Sequence, residues 1–319
     1  MPTAALLVLA VAFAYSMGAH YTGACMGMPH ALGAVTARRA LLIMAPLSLI
    51  GAAVASHRVA RTVGFTLVDR PLRVPAEIVV LAVAFALTSA FNRLRIPTST
   101  IQILVFTVGG VALGVGTGVH WATVGGLVVL WVLAPAVAGG LGFGLTRVLD
   151  QARSRIRDAR TLPMALVAVG AVASFSMGAN DVANATGALV GTRTVTPLEA
   201  GLLGGAGLAA GVLTWGRPLL EKVAFDIVTV DASMATAGQL VQAVVVLLAV
   251  AFGLFTSMNQ ALVGAMAGAG LARGRHTVHA ATLAAIGRGW LIGPAAGIGL
   301  GYVVTRLVGL VAGGSALGG

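Results

Sequence analysis

At 319 residues, with 58% hydrophobic and 9% charged side chains and a mean hydropathy of +0.98, the chain lies far from the composition of a soluble domain. Its net charge of +11 comes mostly from arginines in short segments between apolar runs. That distribution fits the positive-inside rule and excludes a nucleic-acid binder, which needs a basic domain with interleaved aromatics. Cys25 is the one cysteine, so neither an intrachain disulfide nor a cysteine-based metal site is available.

In chain order, the segment from Pro2 to Met17 is apolar, with no basic leader and no A-x-A cleavage pattern preceding a soluble domain, and reads as a first helix rather than a signal peptide. A membrane span needs about twenty apolar residues. Stretches 3–19, 39–55, 76–92 and 121–146 meet that need in the first half, and 163–179, 197–215, 236–255 and 280–312 in the second. Between them lie 22–36, 98–115, 182–195 and 257–272, shorter and richer in Gly, Ser and Thr. These are predicted to be broken or re-entrant helices, tolerated at membrane depth only where backbone faces protein or a wet cavity. The densest basic group, Arg147, Arg153, Arg155, Arg157 and Arg160, marks 147–162 as a cytoplasmic linker between a first repeat (1–146) and a second (163–319).

The division into repeats rests on residues. Ser176-Met177-Gly178-Ala179-Asn180-Asp181-Val182-Ala183-Asn184 is prefigured by Ser16-Met17-Gly18-Ala19-His20-Tyr21-Thr22-Gly23-Ala24, at an offset of 160 (176 − 16). Gly51 matches Gly211, Ser99 matches Ser257, Gln102 matches Gln260, Trp131 matches Trp290 and Pro135 matches Pro294. Interrupted segments at equivalent places of two halves point to a secondary transporter. The predicted class is an all-α polytopic membrane protein of two inverted repeats with about 10–12 membrane segments. Inverted repeats each cross an odd number of times, and four full spans per half break that rule. A shorter segment must therefore count as a crossing, with 56–70 and 216–232 as candidates.

Gly178-Ala179-Asn180-Asp181-Val182-Ala183-Asn184-Ala185 resembles the signature of the inorganic phosphate transporter (PiT) family, whose two motif copies are each followed by a Ser/Thr-rich hairpin tip. Here the tips are Pro97-Thr98-Ser99-Thr100-Ile101-Gln102 and Thr256-Ser257-Met258-Asn259-Gln260. The first motif copy keeps a His (His20) but carries Tyr21 for Asp and Ala24 for Asn, and both tips carry Gln where the family has His. In this the chain is more similar to the family's sulfate-permease branch. The resemblance implies alternating access and a homodimer in the plasma membrane, with no cofactor.

An oxyanion at the midplane needs hydrogen-bond donors without a large excess of fixed charge. Half-helix N-termini supply them through backbone N–H groups. Ser99, Thr100, Ser257 and Asn259 sit where such N-termini begin, and Asn180, Asn184, Gln102 and Gln260 offer amides. His20 and Thr22 complete the candidate substrate set. Asp181 is the candidate coupling residue: burial and a neighbouring anion both disfavour its charged form, so it can take up a proton as the anion enters. Ionised, the same carboxylate could ligate sodium. The reading is a symporter for sulfate with protons. The alternatives are a sodium- or proton-coupled phosphate transporter and a less selective anion carrier or channel. No zinc motif, nucleophile elbow or second buried carboxylate suggests an enzyme. Glu77 and Glu199 read as exposed helix starts, Trp121, Trp131 and Trp290 as interfacial anchors or packing, Arg193 as an interfacial anchor, and Arg273, Arg275, His276 and His279 as a solvated basic loop.

Overall fold

The computed structural model describes residues 2–94, 96, 98–153, 160–222, 230–274 and 280–311. The first membrane helix is assembled from α1 (Pro2–His20), a π-helical turn (Gly23–Gly27) and α2 (Met28–Ala31). There follow α3 (Ala37–Ala55), α4 (His57–Phe65), α5 (Val74–Leu94), α6 (Thr100–Val115) and α7 (Trp121–Arg153). Beyond the linker come α8 (Thr161–Gly191), α9 (Pro197–Trp215), α10 (Arg217–Lys222), α11 (Ala232–Ala251), α12 (Met258–Arg273) and α13 (Ala280–Val311). Extended pairing among the described residues is one bridge, Val68–Val119.

Start signals repeat with the helices. Thr36 caps α3 by accepting from Arg39 N, and Thr196 caps α9 by accepting from Glu199 N, whose carboxylate completes a capping box. Ser99 and Ser257 likewise cap α6 and α12, accepting from Gln102 N and Gln260 N. The turn before each Thr cap needs positive φ, supplied by Gly33 (72°) and, unusually for a residue with a Cβ, by Arg193 (54°).

Corresponding helices run antiparallel, the inverted arrangement expected from the sequence. Met17 meets Asn184 while Cys25, two turns on, lies against Ala173. In α3 and α9, Leu49 packs on Gly205 and Ala52 on Gly201. The helices cross at glycines, because small residues let backbones meet in a lipid-embedded protein. Gly18 of α1 lies on the Leu208 carbonyl of α9, and its counterpart Gly178 of α8 lies on the Ser48 carbonyl of α3. The same exchange recurs along α6 and α13 (Gly110 on Ile298, Gly297 on Ile103) and along α12 and α7 (Gly264 on Pro135, Gly268 on Gly139). Each repeat's hairpin helix is thus sheathed by the last helix of the other repeat.

Eight helices among the described residues are long and apolar enough to cross a membrane. Arg58 Nη1 donates to Ala251 O (2.5 Å) and Thr62 Oγ1 to Gly253 O (2.8 Å), which fixes the end of α11 at α4, on the face opposite the linker. Arg273 Nη2 bonds Asp150 Oδ1 and Asp231 Oδ2 (both 2.6 Å), tying the end of α12 and the start of α11 to the linker end of α7. The chain therefore crosses in α11, turns at the exposed Phe252 and Leu254, re-enters through buried Phe255–Ser257, and finishes the return in α12. At 16 residues, α12 is about 24 Å long, shorter than the ~30 Å hydrocarbon layer. Counting α6 and α12, each repeat crosses five times, which is odd, as inversion requires.

The extra crossing is thus not in 56–70, and of 216–232 only the two ends are described. Helix α4 has 9 residues, about 14 Å long, and lies against the end of α8, Gly64 meeting Gly187 and Gly191. Helix α10 has 6 residues, and 223–229 lie outside the described residues. Segment 182–195 is not a broken helix either, since α8 is continuous to Gly191; in the first copy the helix carries on through the π-helical turn to Ala31. Glu77 is buried rather than interfacial, and Trp131 is buried with its indole N–H on Phe255 O (3.3 Å), bracing the α11–α12 connection. Arg273 is an ion-paired helix end, not a solvated loop residue; residues 275, 276 and 279 lie outside the described residues, as do 155 and 157. Helix α7 extends through Arg147 to Arg153, with the Arg147 guanidinium over the Phe143 ring.

Candidate functional site

The middle of α1, the middle of α8 and the two hairpin tips meet in one buried polar cluster. Its geometry follows the repeat. Asn180 of α8 grips the backbone of Thr256 on both sides, donating from Nδ2 to Thr256 O (2.9 Å) and accepting from Thr256 N at Oδ1 (3.4 Å). At the equivalent place His20 grips Thr98, its Nε2 lying 3.1 Å from Thr98 O and 3.3 Å from Thr98 N. The other ring nitrogen, Nδ1, is 2.5 Å from Asn92 Oδ1, and Asn92 Nδ2 donates to Ser16 O (2.7 Å). Asn259 of α12 joins the two tips, donating from Nδ2 to Thr98 O (2.7 Å) and lying 3.3 Å from His20 Nε2. The N-termini of α6 and α12, with their positive dipole ends, therefore converge within one side chain of each other.

The repeats differ at the residue after the grip. In the first, the Tyr21 hydroxyl bonds Thr100 Oγ1 (2.7 Å). In the second, the same two places are Asp181 and Met258, and a thioether cannot donate to a carboxylate. Both Asp181 oxygens are buried and lack a hydrogen bond of good geometry, although Tyr21 and Asn180 are near enough to interact with the carboxylate. Met258 instead joins Cys25 and Met177 in a sulfur contact, Cys25 Sγ being 3.9 Å from each thioether. Gln102 Oε1, Gln260 Oε1 and Asn184 Oδ1 are also buried without partners. A buried, unpartnered polar atom costs ~1–3 kcal/mol and calls for a functional reason.

Ten of the eleven sequence candidates gather here: His20, Ser99, Thr100, Gln102, Asn180, Asp181, Asn184, Ser257, Asn259 and Gln260. Thr22 does not; its hydroxyl donates to Ala19 O (3.0 Å) and Gly216 O (2.7 Å), holding the α9–α10 junction. Arg193 is exposed on the α8–α9 turn, away from the cluster. Sequence reasoning missed Asn92, which orients His20. It also missed Gln239 and Gln242 of α11. Gln239 donates to the Ala24 and Cys25 carbonyls of the π-helical turn, and both amide atoms of Gln242 are buried and unpartnered. Two amides in an apolar span were the available signal. A surface cleft lined by His30, Arg38, Thr214 and Arg217 lies where the α2–α3 turn meets α9, apart from these groups.

Ser257 has a structural task whatever else it does. Replacing it by Ala removes the α12 cap and is expected to cost ~1 kcal/mol, read as a lower thermal midpoint of the purified protein. An unchanged midpoint would mean that the hairpin tip holds without its cap.

Comparison with known proteins places this architecture. The sequence profile described as "Phosphate transporter family" matches residues 17–166 and again 152–301. The chain belongs to the phosphate transporter family. A member of that family is a membrane transporter of inorganic anions, and the two matched spans are the two repeats. Among similar proteins of the family, the sulfate permease CysP of Bacillus subtilis is 25% identical over 95% of this chain and 87% of its own length. A putative phosphate permease of Methanocaldococcus jannaschii is 22% identical over 95% of this chain and 96% of its own. A solved structure described as a sodium-dependent phosphate transporter superposes with a TM-score of 0.88 at 23% identity, covering 97% of this chain and 99% of that one, and so shares the family fold.

Proposed function

We propose that this family member is a symporter that imports sulfate together with protons. The observation that carries the reading is Asp181: a fully buried carboxylate whose oxygens make no hydrogen bond of good geometry, with Tyr21 and Asn180 as its polar neighbours, beside two converging helix N-termini. Charge there is expensive unless it is neutralised. A proton taken up with an incoming dianion neutralises the carboxylate and lowers its repulsion of the anion. Backbone N–H groups at the starts of α6 and α12, the Thr100 hydroxyl and the amides of Gln102, Gln260 and Asn184 are the donors that hold the anion. The Ser99 and Ser257 caps, Asn180 and Asn259 set the helix ends in place, while each cap hydroxyl keeps a proton to donate. Sulfate accepts hydrogen bonds and donates none, which suits a donor-rich site with one protonatable acid. Burial of the whole cluster favours a carrier over an open channel. We place the protein in the plasma membrane as a homodimer, with the 147–162 linker cytoplasmic.

A second reading, phosphate with sodium, draws on the phosphate permeases among the relatives and on the capacity of Asp181 to ligate a hard cation. Labelled sulfate and phosphate uptake into proteoliposomes, sodium-free, with and without an inward proton gradient, separates the two. Gradient-stimulated sulfate uptake is expected. Uptake that begins only when sodium is added, and then of phosphate, would replace the first reading with the second.

A further inference from the structure

The two grips on the hairpin tips are equivalent in place but not in chemistry. Asn180 holds Thr256 with two different atoms, an amide donor on the carbonyl and an amide acceptor on the N–H. It does both at once, and no proton can change that. His20 presents a single atom, Nε2, to Thr98 N, Thr98 O and Asn259 Nδ2. One nitrogen cannot accept and donate together. With Nδ1–H donating to Asn92 Oδ1, the neutral ring has a lone pair at Nε2, which accepts from Thr98 N–H and from the Asn259 amide. A proton on Nε2 reverses this: Nε2–H donates to Thr98 O, and the Thr98 and Asn259 N–H groups are left facing a cation. Asn259 then loses its contact with the ring and must share the Thr98 carbonyl, to which its Nδ2 also donates (2.7 Å), with the new Nε2–H, so the bridge between the tips is weakened.

We propose that His20 is a second proton-binding site of the transport cycle, and that its protonation weakens the hold of α12 on the α5–α6 tip. The proposal rests on the proton-coupled reading above and deepens it. The groups facing the ring are Asn92 from α5, Thr98 from the tip, Asn259 from α12 and the Tyr21 ring at 5.1 Å. Asp181 of α8 interacts with Tyr21; Arg93 and Arg288, on the neighbouring α5 and α13, are exposed. No charged side chain pairs with His20 among the described residues, so the charge that favours its protonation is the anion. Two protons, one on an Asp181 oxygen and one on His20 Nε2, balance one sulfate dianion, and all three leave on the other side. Loading therefore leaves the net charge of the site unchanged, and each cycle is electroneutral.

The test is the charge carried per sulfate, measured in proteoliposomes whose membrane potential is clamped with potassium and valinomycin. Wild-type protein is expected to move two protons per sulfate and to reach the same accumulation at any potential. His20→Asn keeps a two-sided grip of the Asn180 kind but cannot titrate. It is expected to move one proton per sulfate and therefore one net negative charge. Its accumulation should then change roughly fifty-fold for about 100 mV of clamped potential. One proton per sulfate in the wild type overturns the proposal, as does His20→Asn that still moves two. If His20→Asn does not reach the membrane, His20→Gln takes its place, and the wild-type ratio can overturn the proposal without either variant. Absence of proton-stimulated sulfate uptake by the wild type is a different result, since it defeats the functional reading itself.

Discussion

Asp181→Asn should remove one coupled proton from proton-driven accumulation. The substitution keeps the shape of the side chain and its place between Tyr21 and Asn180, and removes only the group that titrates. One coupled proton contributes about 1.4 kcal/mol for each unit of pH gradient. Losing it lowers the accumulation ratio by about tenfold per imposed pH unit. The wild-type environment explains why no neighbour substitutes: the partner by repeat symmetry would be the counterpart of Thr100, and that residue is Met258. Asp181→Glu keeps the carboxylate and is expected to retain coupling at a reduced rate. Labelled-anion uptake against a stepped external pH reads both. An Asn variant with wild-type rate and wild-type pH dependence would remove Asp181 from the coupling step.

Gly178→Val is the second large effect, and it acts on the fold. A Cβ on Gly178 falls inside the contact radius of the Ser48 carbonyl oxygen and presses on Ala52 N. Both are helix backbone and cannot swing aside, so α8 and α3 must separate at the motif itself. Overpacking costs ~1–3 kcal/mol for added methylenes, and a branched side chain against backbone belongs at the upper end. A thermal midpoint lowered on the order of 10 °C, or loss of the monodisperse protein, is expected by size exclusion and melting in detergent. Gly18→Val should do the same against the Leu208 carbonyl. Gly144→Ala is the control: it is exposed, and a Cβ there meets nothing within 4 Å. Since alanine favours a helix over glycine, no loss is expected at Gly144; equal losses at Gly144 and Gly178 would show that the crossing does not set the effect.

Much of this was legible in one dimension. Long apolar runs give spans because backbone polar groups must be satisfied internally in lipid, and the observed helices lie within a few residues of most of the spans read from hydropathy. The 160-residue offset announced the repeat, and Asn-Asp-x-x-Asn in an apolar run announced the site, because such groups are rarely kept at membrane depth without a task. Expectations failed where packing decided between equal local options. Polar residues after Asp181 suggested a broken helix, yet α8 is continuous to Gly191, with Gly178 packed on α3, Gly187 and Gly191 on α4, and Thr186 on Gly204 of α9. The worn copy, with no charge to keep, is the one that winds into a π-helical turn, whose carbonyls Gln239 caps from 215 residues away.

Composition, hydropathy period and the internal repeat by themselves determined that this protein is a two-fold repeated, helical membrane protein with a polar centre, since each depends only on the local cost of placing a side chain or peptide group in lipid. Only the tertiary structure decided which polar groups are spent on holding the fold and which remain free. Asn259, Thr22 and one face of His20 are committed to carbonyls far away in the chain, while Asp181 lacks a well-formed hydrogen bond where a methionine 77 residues on takes the threonine's place. Hydrogen-bond satisfaction in a buried site is a property of neighbours in space, and no spacing along the chain encodes it.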